Sequence, residues 1–231
     1  MTSQKIRSHI LLFLSMQILD ENVAAEVADK LLEIEAIRLQ PEQPFTWASG
    51  WKSPIYCDNR LSLSFPPVRD LIKDNLVKAV QHFFPKAEGI AGVATAGIPQ
   101  GALISNDLDL PFIYVRSKPK GHGMENMIEG KVTPGQKVVV VEDLVSTGGS
   151  SLKAAQDLKN AGFEVLGMVA IFSYGFDLAA RNFEEAGIDL VCLCHYEAML
   201  PRAVAREYID EKAMTSLSEW RKDPGAWNPE G

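Results

Sequence analysis

The chain has 231 residues, of which 46% are hydrophobic, so it is long enough to bury the core of one large or two small domains. Its formal net charge of −7 argues against nucleic acid as the main partner, because phosphate backbones bind basic surfaces. A membrane span or an export signal is not expected either, since the apolar run at residues 10–14 is short and no small-residue cleavage site follows it.

The cysteines indicate a reducing compartment. Cys57, Cys192 and Cys194 are odd in number, and two of them fall within one apparent strand. They are therefore predicted to be buried thiols in a cytoplasmic protein rather than disulfides. A Cys-x-Cys metal site would need further ligands at suitable spacing, and the sequence offers none.

The N-terminal region is predicted to contain two helices and a hairpin. Apolar residues recur at helical spacing in residues 4–19 and again in residues 22–34, which predicts two amphipathic helices. Residues 45–58 then read as two short strands joined by a turn at Ser49 and Gly50. This pattern predicts a hairpin outside the main sheet.

Strand and helix patterns alternate through the rest of the chain. The predicted strands are residues 89–93, 112–115, 138–141, 165–172 and 190–194. One predicted helix begins at residue 66 and another follows Pro99. Two more span residues 152–161 and 178–186, and further helices with a polar tail are predicted over residues 198–231. This alternation predicts an α/β fold with a doubly wound parallel sheet.

Residues 138–151 carry the strongest functional pattern. Four valines predict a strand buried on both faces, and Glu142 and Asp143 follow at its C-terminal end, where open α/β sheets bind ligands. Residues 146–150 are all small, hydroxylated or glycine, so their backbone N–H groups can approach an anion closely. The N-terminus of the next helix favours a phosphate at the same place. Ordinary surface acids beside a turn are the alternative.

Two more loops follow predicted strands. Residues 94–99 turn sharply from strand to helix, and a plain βα turn is the alternative there. Residues 116–123 form a basic loop that could close over a diphosphate and exclude water. Its charged or titratable residues are Arg116, Lys118, Lys120 and His122. A solvated run of charges is the alternative for this loop.

The pattern at residues 138–151 resembles the phosphoribosyl-diphosphate binding motif of the type I phosphoribosyltransferases: a hydrophobic run, two acids, two apolar positions and a loop of hydroxyl residues and glycines. The resemblance implies that Glu142 and Asp143 hold the ribose 2′ and 3′ hydroxyls, and that residues 146–150 wrap the 5′-phosphate. The contacts it implies for this substrate, besides the two acids, are Leu144, Val145, Ser146, Thr147, Gly148, Gly149 and Ser150, with Thr95, Ala96, Gly97, Arg116, Lys120 and His122 at the diphosphate.

Two further segments are similar to the orotate phosphoribosyltransferases. One looks like the hood that covers their base pocket, and it reads Phe45-Thr46, Ser49-Gly50 and Lys52-Ser53-Pro54-Ile55-Tyr56. The other matches their catalytic loop, with the spacing Tyr114-x-Arg116-x-x-x-Lys120-x-His122-Gly123. The resemblance implies an N-terminal α+β hood over residues 1–62 and a phosphoribosyltransferase core with a C-terminal helical tail over residues 63–231.

The resemblance also implies a reaction, the transfer of a 5-phosphoribosyl group from phosphoribosyl diphosphate to orotate in the synthesis of UMP. The implied catalytic residues are Arg116, Lys120, His122, Glu142 and Asp143. Orotate would contact Tyr56, Ser146 and Tyr174, and Mg²⁺ would be the cofactor, held mainly through the substrate rather than by side chains. A homodimer with shared active sites is implied as well.

Several positions depart from the enteric pattern of this family. Lysines of that pattern are replaced by Ala48, Ala96 and Ser117, and an arginine that contacts the orotate ring is replaced by Tyr174. Fewer cations are therefore available for two anionic substrates. Our hypothesis is that Lys52 and Lys118 compensate.

Two alternatives remain open. The first is a phosphoribosyltransferase for another base, such as xanthine, adenine or uracil, which would share the motif at residues 138–151 but not the spacing of Lys120 and His122. The second is a non-catalytic sensor of phosphoribosyl diphosphate. Such sensors often carry a DNA-binding segment, and this acidic chain shows no basic recognition helix.

Overall fold

The computed structural model describes residues 16–47, 50–118 and 127–227. Its strands, in chain order, are β1 Gln17–Ile18, β2 Ile37–Leu39, β3 Phe45–Thr46, β4 Lys52–Ser53, β5 Ile55–Cys57, β6 Gly89–Val93, β7 Phe112–Val115, β8 Ile128–Glu129, β9 Lys137–Val145, β10 Glu164–Ser173 and β11 Leu190–His195. Its helices are α1 Glu21–Glu33, α2 Pro66–Phe83, α3 Gly97–Leu108, α4 Gly149–Asn160, α5 Asp177–Ala186, α6 Tyr196–Ala205 and α7 Ala213–Lys222, with a 3-10 helix at Asn59–Ser64.

The main sheet has the strand order β1-β11-β10-β9-β6-β7-β8. Neighbouring strands are parallel except β7 and β8, which are antiparallel. The chain builds the sheet outward in both directions from β9 and β6, which is the topology of a doubly wound fold. The predicted fold class is therefore confirmed, and β9 lies at the centre of the sheet.

Each face of this sheet carries its own hydrophobic core. Side chains alternate between the two faces along a strand, so Val139 and Val141 join one core while Val138 and Val140 join the other. The first core also contains buried side chains of α1, α2, α6 and α7. The second contains those of α4 and α5. Helices on both faces explain why the central strands read as continuous apolar runs.

Strand β9 is longer than the run of valines predicts. It continues to Val145, because β10 pairs with it through Ala170 opposite Glu142 and Ser173 opposite Val145. The prediction that the strand ends at Val141 is therefore wrong. The two acids lie inside the last part of the strand, where the backbone of β10 restrains them.

The N-terminal helices were predicted with mixed success. Asp20 caps α1, since its Oδ1 accepts hydrogen bonds from the backbone N–H groups of Asn22 (2.8 Å) and Val23 (3.2 Å), and this helix confirms the prediction for residues 22–34. The helix predicted for residues 4–19 is wrong at Gln17–Ile18, which pair with β11. Residues 1–15 lie outside the described part of the chain.

The hairpin predicted for residues 45–58 is confirmed in its first part. Strands β3 and β4 pair in antiparallel register, with Phe45 opposite Ser53 and Thr46 opposite Lys52. Residues Ile55–Cys57 do not extend this hairpin but pair with β2. Pro54 separates the two pairings, since its ring restricts the backbone and removes a hydrogen-bond donor.

The remaining general predictions concern thiols and membranes. Cys192 and Cys194 are buried and Cys57 is half-buried, and all three are free thiols. Among the helices of the described ranges, none combines the length and the apolar character that a bilayer crossing requires.

Candidate functional site

Two adjacent carboxylates near the C-terminal end of β9 form the centre of the candidate site. The side chain of Glu142 is only 6% exposed, and its carboxylate accepts hydrogen bonds from the Ser151 hydroxyl (3.0 Å) and from the backbone N–H of Asp143 (3.1 Å). Ser151 lies in the first turn of α4, so the helix and the strand hold the carboxylate between them.

The surroundings of this acid pair disfavour the ionised form of both carboxyl groups. Burial, followed by the neighbouring charge of Asp143, raises the pKa of Glu142 to about 8. Burial also raises the pKa of Asp143. A ligand that brings hydroxyl donors or a cation would stabilise the ionised carboxylates, so the pair is suited to a polyhydroxyl or cation-bearing ligand.

Asn59 holds the acid pair from the hood side, and the sequence patterns did not single it out. Its side-chain amide donates to the carbonyl oxygen of Asp143 (2.7 Å), and its amide oxygen accepts from the Cys57 thiol (3.4 Å). The side chain is 1% exposed. Asn59 therefore connects the 3-10 helix with the last part of β9 across 84 residues of sequence.

The loop after β9 turns into α4 at a glycine and is held by a side chain of α5. Gly148 is in the left-handed region, with φ of 81°, and immediately precedes α4. The side-chain amide of Asn182 on α5 donates to the carbonyl oxygen of Thr147 (2.9 Å) and ties the loop down. Leu144 and Val145 lie in β9, and Val145 is buried. The predicted residues are therefore contiguous: Leu144 and Val145 end β9, residues 146–148 connect it to α4, and Gly149 and Ser150 begin α4.

The loop after β6 lies beside the acid pair because glycines allow close packing. Gly92 pairs with Val141 across the two strands, and a methyl group on Gly92 would lie 2.8 Å from the carbonyl oxygen of Gly97. A methyl group on Gly97 would overlap the carbonyl oxygen of Val141. Thr95 and Ala96, joined to β6 through a cis Ala94–Thr95 peptide bond, are thus carried next to the C-terminal end of β9.

This close contact leads to a first prediction. Gly97→Ala is expected to destabilise the fold by about 1–3 kcal/mol, the typical cost of forcing an extra methyl group into a packed interior. The unfolding midpoint should therefore fall by several degrees, roughly 2–4 °C per kcal/mol at this chain length. Differential scanning calorimetry measures the change.

Gly149→Ala is the matched control. A methyl group there would meet only the Thr147 hydroxyl, at 4.0 Å, and alanine suits a helical position better than glycine. Its midpoint is expected to stay at or above the parental value. A Gly97→Ala protein that unfolds at the parental temperature would contradict the close packing of α3 on β9.

Arg116 is the one predicted catalytic cation within the described ranges. Its guanidinium pairs with the Glu129 carboxylate (2.9 Å) and donates to the carbonyl oxygen of Lys118 (3.2 Å). Both side chains of the ion pair are about one third exposed, so the guanidinium can exchange partners. Lys120 and His122 lie outside the described residues.

The hood places an arginine against two aromatic rings that also contact each other. The Arg38 guanidinium carbon lies 5.0 Å from the ring centre of Tyr56 and 5.6 Å from that of Phe45. Arg38 and Tyr56 are directly opposite each other in the pairing of β2 with β5. The sequence patterns missed Arg38, because the pairing of β2 with β5 gives no local signal at residue 38.

Tyr174 lies in an aromatic cluster. Its side chain is 3% exposed and packs against Trp47 (5.1 Å between ring centres), Phe176 (5.5 Å) and Trp220 (5.8 Å). Burial raises the pKa of its hydroxyl well above the ordinary value. The contact of Tyr174 with orotate stays a prediction, and the ring has a packing role at the junction of β10 with the hood.

The donor set of the site suits a magnesium ion that arrives with a ligand. The described ranges contain no group of three His, Cys, Asp or Glu side chains that could enclose a metal. Glu142 and Asp143 offer oxygen ligands, which Mg²⁺ prefers, but two carboxylates leave most of an octahedral shell to other oxygens. Ligand oxygens would therefore fill most of that shell.

Comparison with known proteins decides the family. Residues 63–196 match the family model described as the phosphoribosyl transferase domain. An orotate phosphoribosyltransferase of Cytophaga hutchinsonii is 60% identical over 206 residues, which cover 89% of this chain and 99% of that protein. The chain belongs to the orotate phosphoribosyltransferase family.

Solved structures agree with this membership in the orotate phosphoribosyltransferase family. The orotate phosphoribosyltransferase of Aeropyrum pernix aligns with a TM-score of 0.69 at 28% identity, covering 76% of this chain and 97% of that one. UMP synthase of Leishmania donovani aligns with a TM-score of 0.71 at 30% identity over 85% of this chain, which spans only 42% of that longer protein. The predicted family and enzyme class are therefore confirmed.

Proposed function

We propose that this chain transfers the 5-phosphoribosyl group of phosphoribosyl diphosphate to N1 of orotate, which gives orotidine 5′-phosphate and diphosphate in the synthesis of UMP. The observation that carries the proposal is the acid pair on β9, with Glu142 buried and Asp143 half-buried, beside a glycine-containing loop at the N-terminus of α4. Sugar hydroxyls and a phosphate are the groups that this combination binds.

The acid pair would bind the ribose. Carboxylate oxygens of Glu142 and Asp143 accept hydrogen bonds from the 2′ and 3′ hydroxyls, and this binding favours the ionised form that burial disfavours. The 5′-phosphate would take backbone N–H groups and hydroxyls of residues 146–150. Because Asn182 and Ser151 hold this region from α5 and α4, the sugar would be bound at both ends by a preorganised frame.

The diphosphate leaving group needs local positive charge, because the chain as a whole carries a net charge of −7. Arg116, Lys120 and His122 would supply it, with backbone amides of Thr95, Ala96 and Gly97 on the opposite side. Arg116 would exchange Glu129 for the diphosphate as the loop closes. Mg²⁺, held mainly by substrate oxygens beside Glu142 and Asp143, supplies further neutralisation of the diphosphate when bound.

Departure of diphosphate leaves a ribosyl carbon with positive character. Glu142 and Asp143 would place negative charge close to this centre, while the closed loop would exclude water that could compete with orotate. Orotate would lie under the hood in contact with Tyr56, Ser146 and Tyr174. Its N1 would then attack the anomeric carbon in line with the departing oxygen.

The assembly and location that we propose follow from the same membership. The active enzyme is proposed to be a homodimer in which the basic loop completes the site of the partner subunit. The free thiols at Cys57, Cys192 and Cys194 suit a reducing cytoplasm, which is the proposed location.

Lys52 is proposed to replace part of the positive charge lost at Ala48, Ala96 and Ser117. It lies on β4 of the hood, and its ammonium group donates to the Thr46 hydroxyl (3.0 Å) across the hairpin. Lys52→Ala is expected to raise the Michaelis constants of both substrates roughly tenfold, the lower end of the effect of a hydrogen bond to a charged group. Steady-state kinetics measure this change.

Lys86→Ala is the matched control for Lys52. Lys86 is exposed just before β6, at the opposite edge of the sheet from the acid pair. Its removal should leave both Michaelis constants at the parental values. Unchanged constants in Lys52→Ala would show that another group supplies the compensating charge.

The substrate is tested by one assay. The protein is supplied with phosphoribosyl diphosphate, Mg²⁺ and, in separate reactions, orotate, uracil, adenine or xanthine, and diphosphate release is followed. Release only with orotate supports the proposal. Release with a different base would reassign the substrate, and release with none of them would indicate a sensor.

A further inference from the structure

The residues on either side of the matched domain pack against each other. The family model covers residues 63–196, which leaves the hood before it and residues 197–227, here called the C-terminal segment, after it. The indole N–H of Trp220, on α7 of this segment, donates to the carbonyl oxygen of Lys52 (3.1 Å), 168 residues away in sequence. We propose that Trp220 is a positioning residue that holds the hood hairpin and thereby places Lys52.

The surroundings of Trp220 suit this role. The side chain is fully buried, and its ring contacts those of Trp47, Tyr174, Phe176 and Tyr196, with ring centres 5.3–5.8 Å apart. Trp47 directly follows β3 of the hood, and Tyr174 directly follows β10 of the main sheet. The indole therefore joins the hood to the end of a strand beside β9.

The C-terminal segment is itself anchored to the rest of the fold. Arg202 of α6 pairs with Asp29 of α1 (2.8 Å from Nε to Oδ1), and its hydrogen bond lowers the pKa of that carboxyl. Arg221 of α7 donates to the carbonyl oxygen of Gly175 (3.0 Å) and pairs with Glu197. None of these contacts involves the hairpin of β3 and β4, so α7 is held in place independently of the hairpin that it supports.

The hood hairpin needs such a support. Each of its strands, β3 and β4, has two residues, and a two-stranded ribbon of this size is at most marginally stable by itself. Trp47 adds one indole hydrogen bond, to the carbonyl oxygen of Ile55 (3.3 Å). The bond from Trp220 differs in that its acceptor belongs to Lys52, the residue whose ammonium group faces Thr46.

The inference rests on the proposed function, since it assigns Trp220 to the binding of the two anionic substrates through Lys52. Trp220→Phe removes the N–H donor and keeps an aromatic ring. We expect it to raise the same Michaelis constants as Lys52→Ala, by roughly threefold to tenfold, the range that one net hydrogen bond produces. The turnover number should stay within about twofold, because no reacting atom touches Trp220.

A double-mutant cycle separates positioning from general destabilisation. If Trp220 acts through Lys52, Trp220→Phe should have little further effect on either Michaelis constant in the Lys52→Ala background. Trp227→Phe is the matched control, because it removes an indole hydrogen bond of the same segment, to the Ser216 hydroxyl (3.3 Å), that does not reach the hood. That variant should keep both parental constants.

A variant with smaller structural consequences guards against a failure to fold. Replacing Trp220 with its benzothienyl analogue keeps the shape of the two-ring side chain and replaces only the N–H by sulfur. Raised Michaelis constants in this protein, absent from the Lys52→Ala background, support the inference. Parental Michaelis constants in this protein overturn the inference. So does an effect on these constants that is equally large in the Lys52→Ala background. A parental protein inactive with orotate would instead overturn the proposed function.

Discussion

The paired substitution Glu142→Gln with Asp143→Asn is expected to lower kcat/KM by about two to four orders of magnitude. Each amide keeps the size of the side chain but loses the charge that, in the proposed mechanism, binds a ribose hydroxyl and faces the positive reacting centre. Hydrogen bonds to charged groups contribute about 1.5–3 kcal/mol each, so two of them account for roughly 3–6 kcal/mol of the barrier. Initial rates of orotidine 5′-phosphate formation measure the loss.

Unfolding of the variant is not the expected cause of this loss. Burial raises the pKa of Glu142 to about 8, so the folded protein keeps a proton that the unfolded chain has already released. The stability of the parent therefore falls as the pH rises from the ordinary pKa of a glutamic acid toward 8. Glu142→Gln removes this penalty, and at pH 8 the amide variant should unfold at or above the parental temperature.

Glu164→Gln is the control for the acid pair, because it makes the same change at the exposed, opposite end of the neighbouring strand β10. Its kcat/KM should equal that of the parent. If the doubly substituted protein turned over at the parental rate, the acid pair would have no role in catalysis. The proposed reaction would then lose its structural basis.

The second large effect is expected at Lys120, whose role is implied by the loop spacing alone. Lys120→Ala should lower the turnover number by two to three orders of magnitude, since removing one electrostatic contact to developing charge costs about 2.7–4 kcal/mol of barrier. Single-turnover measurements at saturating phosphoribosyl diphosphate isolate this step from substrate binding.

Lys131→Ala provides the comparison for Lys120. Lys131 is exposed and lies shortly after β8, beyond the end of the basic loop, so its loss should leave turnover unchanged. A decrease of less than fivefold in Lys120→Ala would count against its assignment to the leaving group.

Much of the architecture could be predicted because its signals are local. A run of four valines predicted the core of the central strand β9, and glycine and hydroxyl residues after Val145 predicted the loop at the start of α4. The acid pair could be located for the same reason, since Glu142 and Asp143 directly follow the valines in sequence. The position at which β9 ends could not be predicted, because it depends on pairing with β10 at Ser173.

Other features depend on contacts between distant parts of the chain. Gln17–Ile18 form a strand only because the edge of β11 is available, although their apolar spacing continues a helical pattern. Asn59 meets the carbonyl of Asp143, and Trp220 meets that of Lys52, through hydrogen bonds spanning 84 and 168 residues. Residue type alone carries no sign of such a partner, so these positions became apparent only in three dimensions.

The packing of the C-terminal segment against the hood has a consequence for protein engineering. A hood transplanted from a homologue would meet an indole, an aromatic cluster and a helix shaped for a different hairpin. Chimeras intended to alter base selectivity should accordingly exchange residues 45–58 and 213–222 together, because these segments pack against each other on either side of the matched domain.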